Sequence, residues 1–261
     1  MLEIKDLTIQ YGDKPPVVEN FSLSLKKGEI ITIVGESGSG KSTVLSSILG
    51  LLPNGGKIIS GDIIYNGESM LSKSLNQWRE LRGTEITMIS QDSGGTLNPI
   101  RKIGKQFVEY IQTHSKMSVK EAEEKAKDMF SKVNLPDPEI IMKSYPHQLS
   151  GGMKQRVGIA MALTFHPKII LADEPTSALD VITQAQIVKE IMDLRKKFDT
   201  SIIMVTHNLG VAAYISDKII VMQNGKIVDA GNKNEVIENP KSEYTKKLLE
   251  AVPEIGGERL V

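Results

Sequence analysis

The chain has 261 residues, 40% hydrophobic and 25% charged, and its 32 basic and 32 acidic side chains cancel to a net charge of 0. The hydrophobic share is ample for a core, and the zero net charge gives no electrostatic reason to expect a nucleic-acid partner, because such binding depends on neutralising phosphates. The absence of cysteine excludes disulfides, thiolate metal sites and iron–sulfur clusters, and neither a signal peptide nor a run of about 20 apolar residues is present, so we expect a soluble protein that reaches a membrane only through a partner.

The N-terminal part of the chain alternates between apolar and polar residues. This alternation runs through residues 2–11 and returns at Phe21–Leu25, which is typical of half-buried antiparallel strands. Asn66-Gly67 and Asn224-Gly225 each lie between apolar stretches. Because this dipeptide is the strongest short signal for a two-residue β-turn, we expect a hairpin at both places.

Other apolar runs are short and continuous, which is typical of parallel strands buried on both faces. They are Ile30–Val34, Ile86–Ile89, Ile169–Ala172 and Ile202–Val205. Helical patterns separate them at Thr43–Leu52, Val181–Phe198 and Leu209–Ile215. Alternating strands and helices predict an α/β core with a parallel sheet.

The strand runs disappear between about Ser93 and Val157, where Gly104–Thr113 and Val119–Val133 have helical patterns. We therefore expect a helical subdomain inserted into the core, followed at the C-terminus by an amphipathic helix at Glu243–Val252. The predicted domains are residues 1–92 with 158–234 as the α/β core with its antiparallel β-subdomain, 93–157 as the helical subdomain, and 235–261 as a helical tail.

A glycine-rich segment follows the strand Ile30–Val34 and opens the helix at Thr43. It comprises Gly35, Glu36, Ser37, Gly38, Ser39, Gly40, Lys41 and Ser42. This is the P-loop pattern in its required context of strand, turn and helix, where backbone N–H groups and the helix N-terminus bind phosphate oxygens. We expect Lys41 to contact the β/γ-phosphates of ATP and the Ser42 hydroxyl to ligate Mg²⁺.

Two adjacent carboxylates, Asp173 and Glu174, end the apolar strand that begins at Ile169. In α/β sheets ligands bind beyond the carboxyl ends of the strands, so we expect these acids in the same crevice as the P-loop. Asp173 can hold the Mg²⁺ shell, and Glu174 can act as the general base that polarises the attacking water.

The segment Leu149–Arg156, with the sequence LSGGMKQR, resembles the signature motif of ABC ATPases. Ser150, Gly151 and Gly152 open a helix there and can form a second anion-binding nest. The resemblance implies that this nest, together with Gln155, contacts ATP in trans, on the opposite subunit of a two-ATPase sandwich. It also implies a P-loop NTPase (RecA-like) core with the N-terminal antiparallel β-subdomain and the inserted helical subdomain.

The remaining motifs of that family occur in the family's order, and the resemblance implies their roles. Tyr11 corresponds to the aromatic residue that stacks on adenine, and Gln91 to the Q-loop glutamine that reaches Mg²⁺ and water. His207 corresponds to the switch histidine near the γ-phosphate. The D-loop, which crosses the dimer interface, corresponds to Ser177, Ala178, Leu179 and Asp180. The predicted catalytic residues are Glu174, His207, Lys41 and Gln91; Thr43 joins the ATP contacts, and Mg²⁺ is assigned to Ser42, Gln91 and Asp173.

The segments Tyr145–Val157, Asp173–Val181 and Asn239–Pro253 resemble the peptide/nickel importer branch. Ser93 and Asn208 depart from it, standing where proline and aspartate are usual. The chain is similar to the shorter members without cysteine, which implies nickel, another metal or a metal–chelator complex as cargo, with a di- or oligopeptide as the alternative. The branch implies a second ATPase, in a heterodimer or a homodimer, transmembrane permeases, an extracytoplasmic binding protein and a location on the cytoplasmic face of the cell membrane.

Three other classes share some of these motifs. Chromosome- or repair-type ATPases interrupt the core with a very long coiled coil, whereas Lys41 and Ser150 are 109 residues apart (150 − 41 = 109) in this sequence. Translation-type ABC proteins carry two P-loops and two signatures, and this chain has one of each. A non-hydrolysing scaffold would usually lack the glutamate or the histidine, and both Glu174 and His207 are present.

Overall fold

The computed structural model describes residues 1–177, 179–252, 254–255 and 258–259; of Val181 and the last two pairs it describes the backbone alone. Two compact units make up the chain, one formed by Met1–Trp78 with Ser201–Val261 and the other by Arg79–Thr200. We call them unit 1 and unit 2. Their limits differ from the predicted domain boundaries, which remain a prediction.

In chain order the elements are β1 (Leu2–Tyr11), β2 (Val18–Leu25), β3 (Ile30–Val34), α1 (Lys41–Ile48), β4 (Gly56–Tyr65), β5 (Glu68–Ser69), α2 (Leu75–Leu81), β6 (Ile86–Ile89), α3 (Ser93–Thr96), α4 (Ile103–His114), α5 (Val119–Lys132), α6 (Pro138–Lys143), a 3₁₀ turn (Pro146–Gln148), α7 (Gly151–Leu163), β7 (Ile169–Asp173), α8 (Val181–Phe198), β8 (Ser201–Thr206), α9 (Leu209–Ile215), β9 (Lys218–Gln223), β10 (Lys226–Asn232), α10 (Lys233–Glu238), α11 (Glu243–Glu250), β11 (Glu254–Ile255) and β12 (Glu258–Arg259). No helix in the described part of the chain combines the length and apolar character needed to cross a bilayer.

Unit 1 begins with an antiparallel sheet in the order β2-β1-β4-β5. Its alternating residues place one set of side chains in the core, including the fully buried Leu2 and Phe21. Tyr65 pairs with Glu68 across the Asn66-Gly67 turn, and Gln223 pairs with Lys226 across Asn224-Gly225. Both predicted hairpins are therefore confirmed.

The second sheet segment of unit 1 has β3 at its centre, with β8 and β9 parallel to it on either side and β10 antiparallel to β9. All five residues of β3 and all six of β8 are buried, which explains why neither run alternates. In register, Val34 pairs with Thr206. The segments that follow β3 and β8 therefore leave the sheet at the same edge.

Unit 2 contains the parallel pair β6 and β7, in which Ile89 pairs with Ala172. Its helical part comprises α3 to α7, and α5 begins with a capping box in which Ser118 and Glu121 exchange hydrogen bonds. The predicted helical character of residues 93–157 is confirmed. Pro138 opens an additional helix, α6, which was not predicted because six residues are too few for a periodic pattern.

Candidate nucleotide-binding site

The glycine-rich segment of unit 1 forms a loop between β3 and α1, as the pattern predicts. Gly38 and Gly40 have φ values of 83° and 99°, in the left-handed region that glycine adopts without strain. A Cβ on Gly35 would lie 2.2 Å from the backbone oxygen of Met222, so the loop starts in direct contact with β9. The backbone of Gly225 donates a hydrogen bond of 3.2 Å to the carbonyl of Ser39. The hairpin formed by β9 and β10 thus packs against the loop and supports it.

Lys41 is 4% exposed, and its ammonium group donates to the carbonyl oxygens of Gly35 and Glu36, both at 2.7 Å. The Ser39 hydroxyl lies 3.5 Å from the same ammonium. The charge is therefore held inside the curve of the loop, at the start of α1. Ser42 is exposed and Thr43 is half-buried in the first turn of that helix. The loop thus has the backbone N–H groups, helix terminus and cation that phosphate binding requires.

Tyr11 lies at the end of β1 and is half-buried. Its ring lies against Gly56, where an added Cβ would stand 2.5 Å from the Tyr11 Cε1 atom. The missing side chain at Gly56 leaves room for the ring at this place. Adenine stacking by Tyr11 remains a prediction.

His207 directly follows β8 and is exposed, on the strand next to the one that carries the P-loop. The next residue, Asn208, caps α9 by accepting hydrogen bonds from the backbone N–H groups of Gly210 and Val211 at 2.9 and 3.2 Å. Asparagine and aspartate are comparably good at this position, which explains why the usual aspartate is dispensable for the helix.

In unit 2, Gln91 and the pair Asp173 and Glu174 leave the neighbouring strands β6 and β7 at one edge. Gln91 is exposed, and both acids are half-buried. Glu174 has a φ of 43°, a left-handed conformation that is unfavourable for a residue with a side chain. Its carbonyl accepts hydrogen bonds of 3.2 Å from the N–H and the hydroxyl of Ser177, which hold this conformation. Such backbone strain concentrates at functional sites.

The segment after Gln91 packs on α7. Ser93 is 3% exposed, and its Oγ atom would lie 2.5 Å from a Cβ on Gly158. Ser93 is the first residue of α3, with Asp92 as the N-cap that accepts from Gly95. Proline is favoured at this first helical position because its missing N–H costs nothing there. Serine also fits the position, so the departure at residue 93 leaves the local structure intact.

Ser150 caps α7, and its hydroxyl accepts a hydrogen bond of 3.3 Å from the backbone N–H of Met153. Gly151 is exposed and Gly152 half-buried, so the first turn of the helix is open to a ligand. Gln155 is 4% exposed, with its amide nitrogen 3.4 Å from the carbonyl of Ser90. This inward placement favours a contact with the segment around Gln91, and a contact of Gln155 with ATP in trans stays a prediction.

The D-loop residues Ser177, Leu179 and Asp180 connect Glu174 to α8, while Ala178 lies outside the described residues. Asp180 caps α8 by accepting from the N–H and hydroxyl of Thr183 at 3.0 and 2.7 Å. These hydrogen bonds hold the pKa of the Asp180 carboxyl below its usual value. Asp180 is therefore fixed as a negative charge at the start of the helix.

Sequence reasoning missed two features of the site. Arg156 forms a fork on Glu190, with its Nη2 atom 2.9 Å from Oε1, and this joins α7 to α8 within unit 2. In unit 1 the Tyr244 hydroxyl accepts a hydrogen bond of 2.9 Å from the backbone N–H of Glu36. The two residues are 208 positions apart, so no local pattern indicates the contact. Only the presence of both a P-loop and a C-terminal helix in the same chain could have suggested it.

Comparisons with known proteins support one assignment. Residues 18–177 match the family described as ABC transporter. The chain is 44% identical to the oligopeptide transport ATP-binding protein OppD of Bacillus subtilis (strain 168), covering 97% of this chain and 72% of that protein. It is 42% identical to the metal-staphylopine import system ATP-binding protein CntD of Staphylococcus aureus (strain NCTC 8325 / PS 47), covering 95% of this chain and 92% of that protein.

Solved structures show the same fold. A dimeric, post-hydrolysis state of the ATP-binding cassette MJ0796 bound to ADP and Pi is 29% identical, with a TM-score of 0.77 over 89% of this chain and 99% of that one. CbiO1 of Clostridium perfringens, part of the complex cbiONQ, is 27% identical, with a TM-score of 0.78 over 91% of this chain and 90% of that one. These findings confirm the predicted α/β fold, ATP binding and ATP hydrolysis. The chain belongs to the ABC transporter family, as an ATP-hydrolysing subunit that groups with the ATP-binding proteins of peptide and metal importers.

Proposed function

We propose that this chain works as one half of a two-ATPase sandwich that drives import across a membrane. Each ATP is bound by the P-loop of one chain and by Ser150, Gly151 and Gly152 of the other. The observation that carries this proposal is the open first turn of α7, where exposed glycine backbone follows the Ser150 cap. A helix N-terminus of this kind binds anions, and the related cassette MJ0796 has been solved as a dimer.

In the proposed reaction the residues have the roles that the family resemblance implies. Lys41 stabilises the charge on the transferring phosphoryl group, and Glu174 acts as general base on the attacking water. His207 and Gln91 position that water and the γ-phosphate. The exposed position of Gln91 and His207 and the strained backbone of Glu174 support these roles.

We assign Mg²⁺ to the Ser42 hydroxyl, the Gln91 amide oxygen and the Asp173 carboxylate. All three are oxygen donors, which Mg²⁺ prefers, and the ion takes its remaining ligands from phosphates and water. When bound, Mg²⁺ neutralises charge on the β- and γ-phosphates.

For the cargo we propose a metal or metal–chelator complex. The observation that favours it is the alignment with the metal-staphylopine import protein, which extends along 95% of this chain and 92% of that one. A di- or oligopeptide is the second candidate, favoured by the 44% identity to the oligopeptide transport protein of Bacillus subtilis. In either case we propose that this chain lies on the cytoplasmic face of the cell membrane. Its partners are a second ATPase, most simply a sister chain, transmembrane permease subunits and, through them, an extracytoplasmic binding protein.

A cross-linking experiment tests the sandwich, and the cysteine-free sequence makes it clean. Ser37→Cys and Ser150→Cys are prepared as separate chains, mixed with each other or with the sister ATPase carrying the matching change, and oxidised. We expect a disulfide between two chains when ATP is present and little without it. A matched control places the cysteine at the exposed Ser131, which lies near the end of α5 and outside both the P-loop and the signature. ATP-independent cross-linking, or equal cross-linking in the control, would contradict the sandwich.

Uptake measurements test the cargo. In a strain that lacks only this chain, we expect uptake of radiolabelled nickel supplied with a chelator to fall, and uptake of a labelled tripeptide to persist. Restoring the chain should restore nickel uptake, whereas a Lys41→Ala chain should not. Loss of peptide uptake with nickel uptake unchanged would select the second candidate.

A further inference from the structure

The C-terminal helix α11 is anchored beside the nucleotide-binding loop. Asp229 is 4% exposed, and its carboxylate accepts hydrogen bonds from the backbone N–H groups of Lys241 and Ser242 at 2.8 and 3.4 Å. Ser242 then caps α11 by accepting from the N–H of Thr245 at 2.9 Å. A buried carboxylate that binds two backbone donors fixes the point where the helix begins.

From this anchor α11 directs Tyr244 into the core of unit 1. The side chain is 9% exposed and belongs to an apolar cluster with Val34, Leu209, Ala212 and Leu249. Val34 is the residue before the P-loop, and Leu209 and Ala212 belong to the helix that follows His207. Burial raises the pKa of the Tyr244 hydroxyl, and the hydrogen bond from the Glu36 backbone partly opposes this rise, while the Glu36 carboxylate adds to it.

The Tyr244 hydroxyl accepts from the N–H of Glu36 at 2.9 Å. That N–H belongs to the peptide group between Gly35 and Glu36, and the carbonyl of the same peptide accepts from the Lys41 ammonium at 2.7 Å. One peptide plane is therefore held at its two ends by Tyr244 and by Lys41. If the plane turned, the carbonyl that holds the ammonium would turn with it, because the peptide group is rigid.

We propose that Tyr244 is a positioning residue of the nucleotide-binding site: its hydroxyl fixes the Gly35–Glu36 peptide and thereby the start of the P-loop and the place of the Lys41 ammonium. The tail helix is then part of the ATP site, although it touches no nucleotide. This inference rests on the proposed assignment of residues 35–42 to nucleotide binding. Its physical basis is pre-organisation, since a loop that is already ordered loses less conformational entropy when the ligand binds.

The test compares two tyrosines that differ in what their hydroxyls reach. Tyr244→Phe removes the contact with Glu36 and keeps the ring in the apolar cluster. Tyr65→Phe is the control, because Tyr65 is 5% exposed, belongs to the same unit and has no place in the nucleotide site. ADP affinity is measured by calorimetry on the full chain, and KM and kcat for ATP are measured on the assembled ATPase.

We expect Tyr244→Phe to weaken ADP binding and raise KM by about 3- to 10-fold, the effect of one lost hydrogen bond, with kcat changed less than 2-fold. Tyr65→Phe should leave all three values unchanged. Asp229→Ala provides a second route, because it loosens the start of α11 without changing Tyr244 or the loop, and it should weaken ADP binding in the same direction.

Several results would overturn the inference. Wild-type ADP affinity in Tyr244→Phe would show that the hydroxyl does not position the loop. Equal losses of ADP affinity in Tyr244→Phe and Tyr65→Phe would show that the effect is one of general stability. A loss in Asp229→Ala alone would assign the effect to packing of the tail. Lys41→Ala separates the two proposals, because wild-type ADP affinity in that variant would refute residues 35–42 as the nucleotide site itself.

Discussion

Replacing Gly158 by alanine tests how tightly α7, the helix that opens with the signature, holds the segment after Gln91. The added Cβ would lie 2.5 Å from the Oγ atom and 2.7 Å from the Cβ atom of Ser93. Both separations are shorter than Cβ atoms tolerate, and the second cannot be relieved by turning the serine hydroxyl, so α3 or α7 has to move.

The magnitude follows from two opposing terms. Forcing a methyl group into a packed contact costs about 1–3 kcal/mol. Replacing a helical glycine by alanine returns about 1 kcal/mol of helix propensity. We therefore expect Gly158→Ala to lower the free energy of unfolding by up to about 2 kcal/mol. Because Ser93 lies two residues after Gln91, we also expect a lower kcat for ATP hydrolysis.

A double-mutant cycle isolates the contact. Urea unfolding is measured for Gly158→Ala, Ser93→Gly and the pair, since glycine at position 93 removes the Cβ that the new methyl group meets. We expect a favourable coupling energy of about 1–3 kcal/mol and partial recovery of kcat in the pair. Additive effects, with a coupling below about 0.5 kcal/mol, would refute the proposed contact between α3 and α7.

Three further predictions concern the chemistry, the packing and the pH response. Glu174→Gln should keep ATP binding, lower hydrolysis at least about 100-fold and accumulate an ATP-bound dimer in size-exclusion chromatography; robust turnover would remove Glu174 from the role of base. Arg156→Leu leaves the poorly exposed Glu190 carboxylate without its guanidinium partner. It should lower the free energy of unfolding by about 2 kcal/mol and the thermal midpoint by roughly 4–8 °C. Part of this loss should be recovered when Glu190 is also changed to leucine. Burial lowers the pKa of His114, so near pH 6.5 the unfolded chain binds a proton that the folded chain does not. The free energy of unfolding should therefore fall as the pH drops through about 6.5. His114→Gln should reduce that fall between pH 7.5 and 5.5, and an unchanged fall would contradict this prediction.

The sequence predicted best what depends on local patterns. Continuous apolar runs located β3, β6 and β8, because strands buried on both faces need no polar positions. The limits of α8 agree with the predicted Val181–Phe198, where Asp180 is a strong cap at one end and Asp199 adopts a left-handed conformation at the other.

Prediction was poorer where a distant contact decides the local structure. The predicted helix Thr43–Leu52 ends at Ile48, because Gly50 adopts a φ of 62° and its Cα packs on the ring of Trp78. The short helix α2 that carries Trp78 has only seven residues, too few for a periodic signal. Gly158 likewise reads as an unfavourable residue in a helix until Ser93 is found against it.

We predict that one chain alone does not complete the reaction, because in the proposed sandwich the signature that closes each ATP site belongs to a second ATPase. Hydrolysis is therefore measured per chain over a range of concentrations at which sedimentation shows the chain to be monomeric, and again after the partner ATPase is added. We expect negligible turnover by the monomer and a rate that rises in proportion to the fraction of paired chains. Full-rate hydrolysis by a strictly monomeric chain would contradict it.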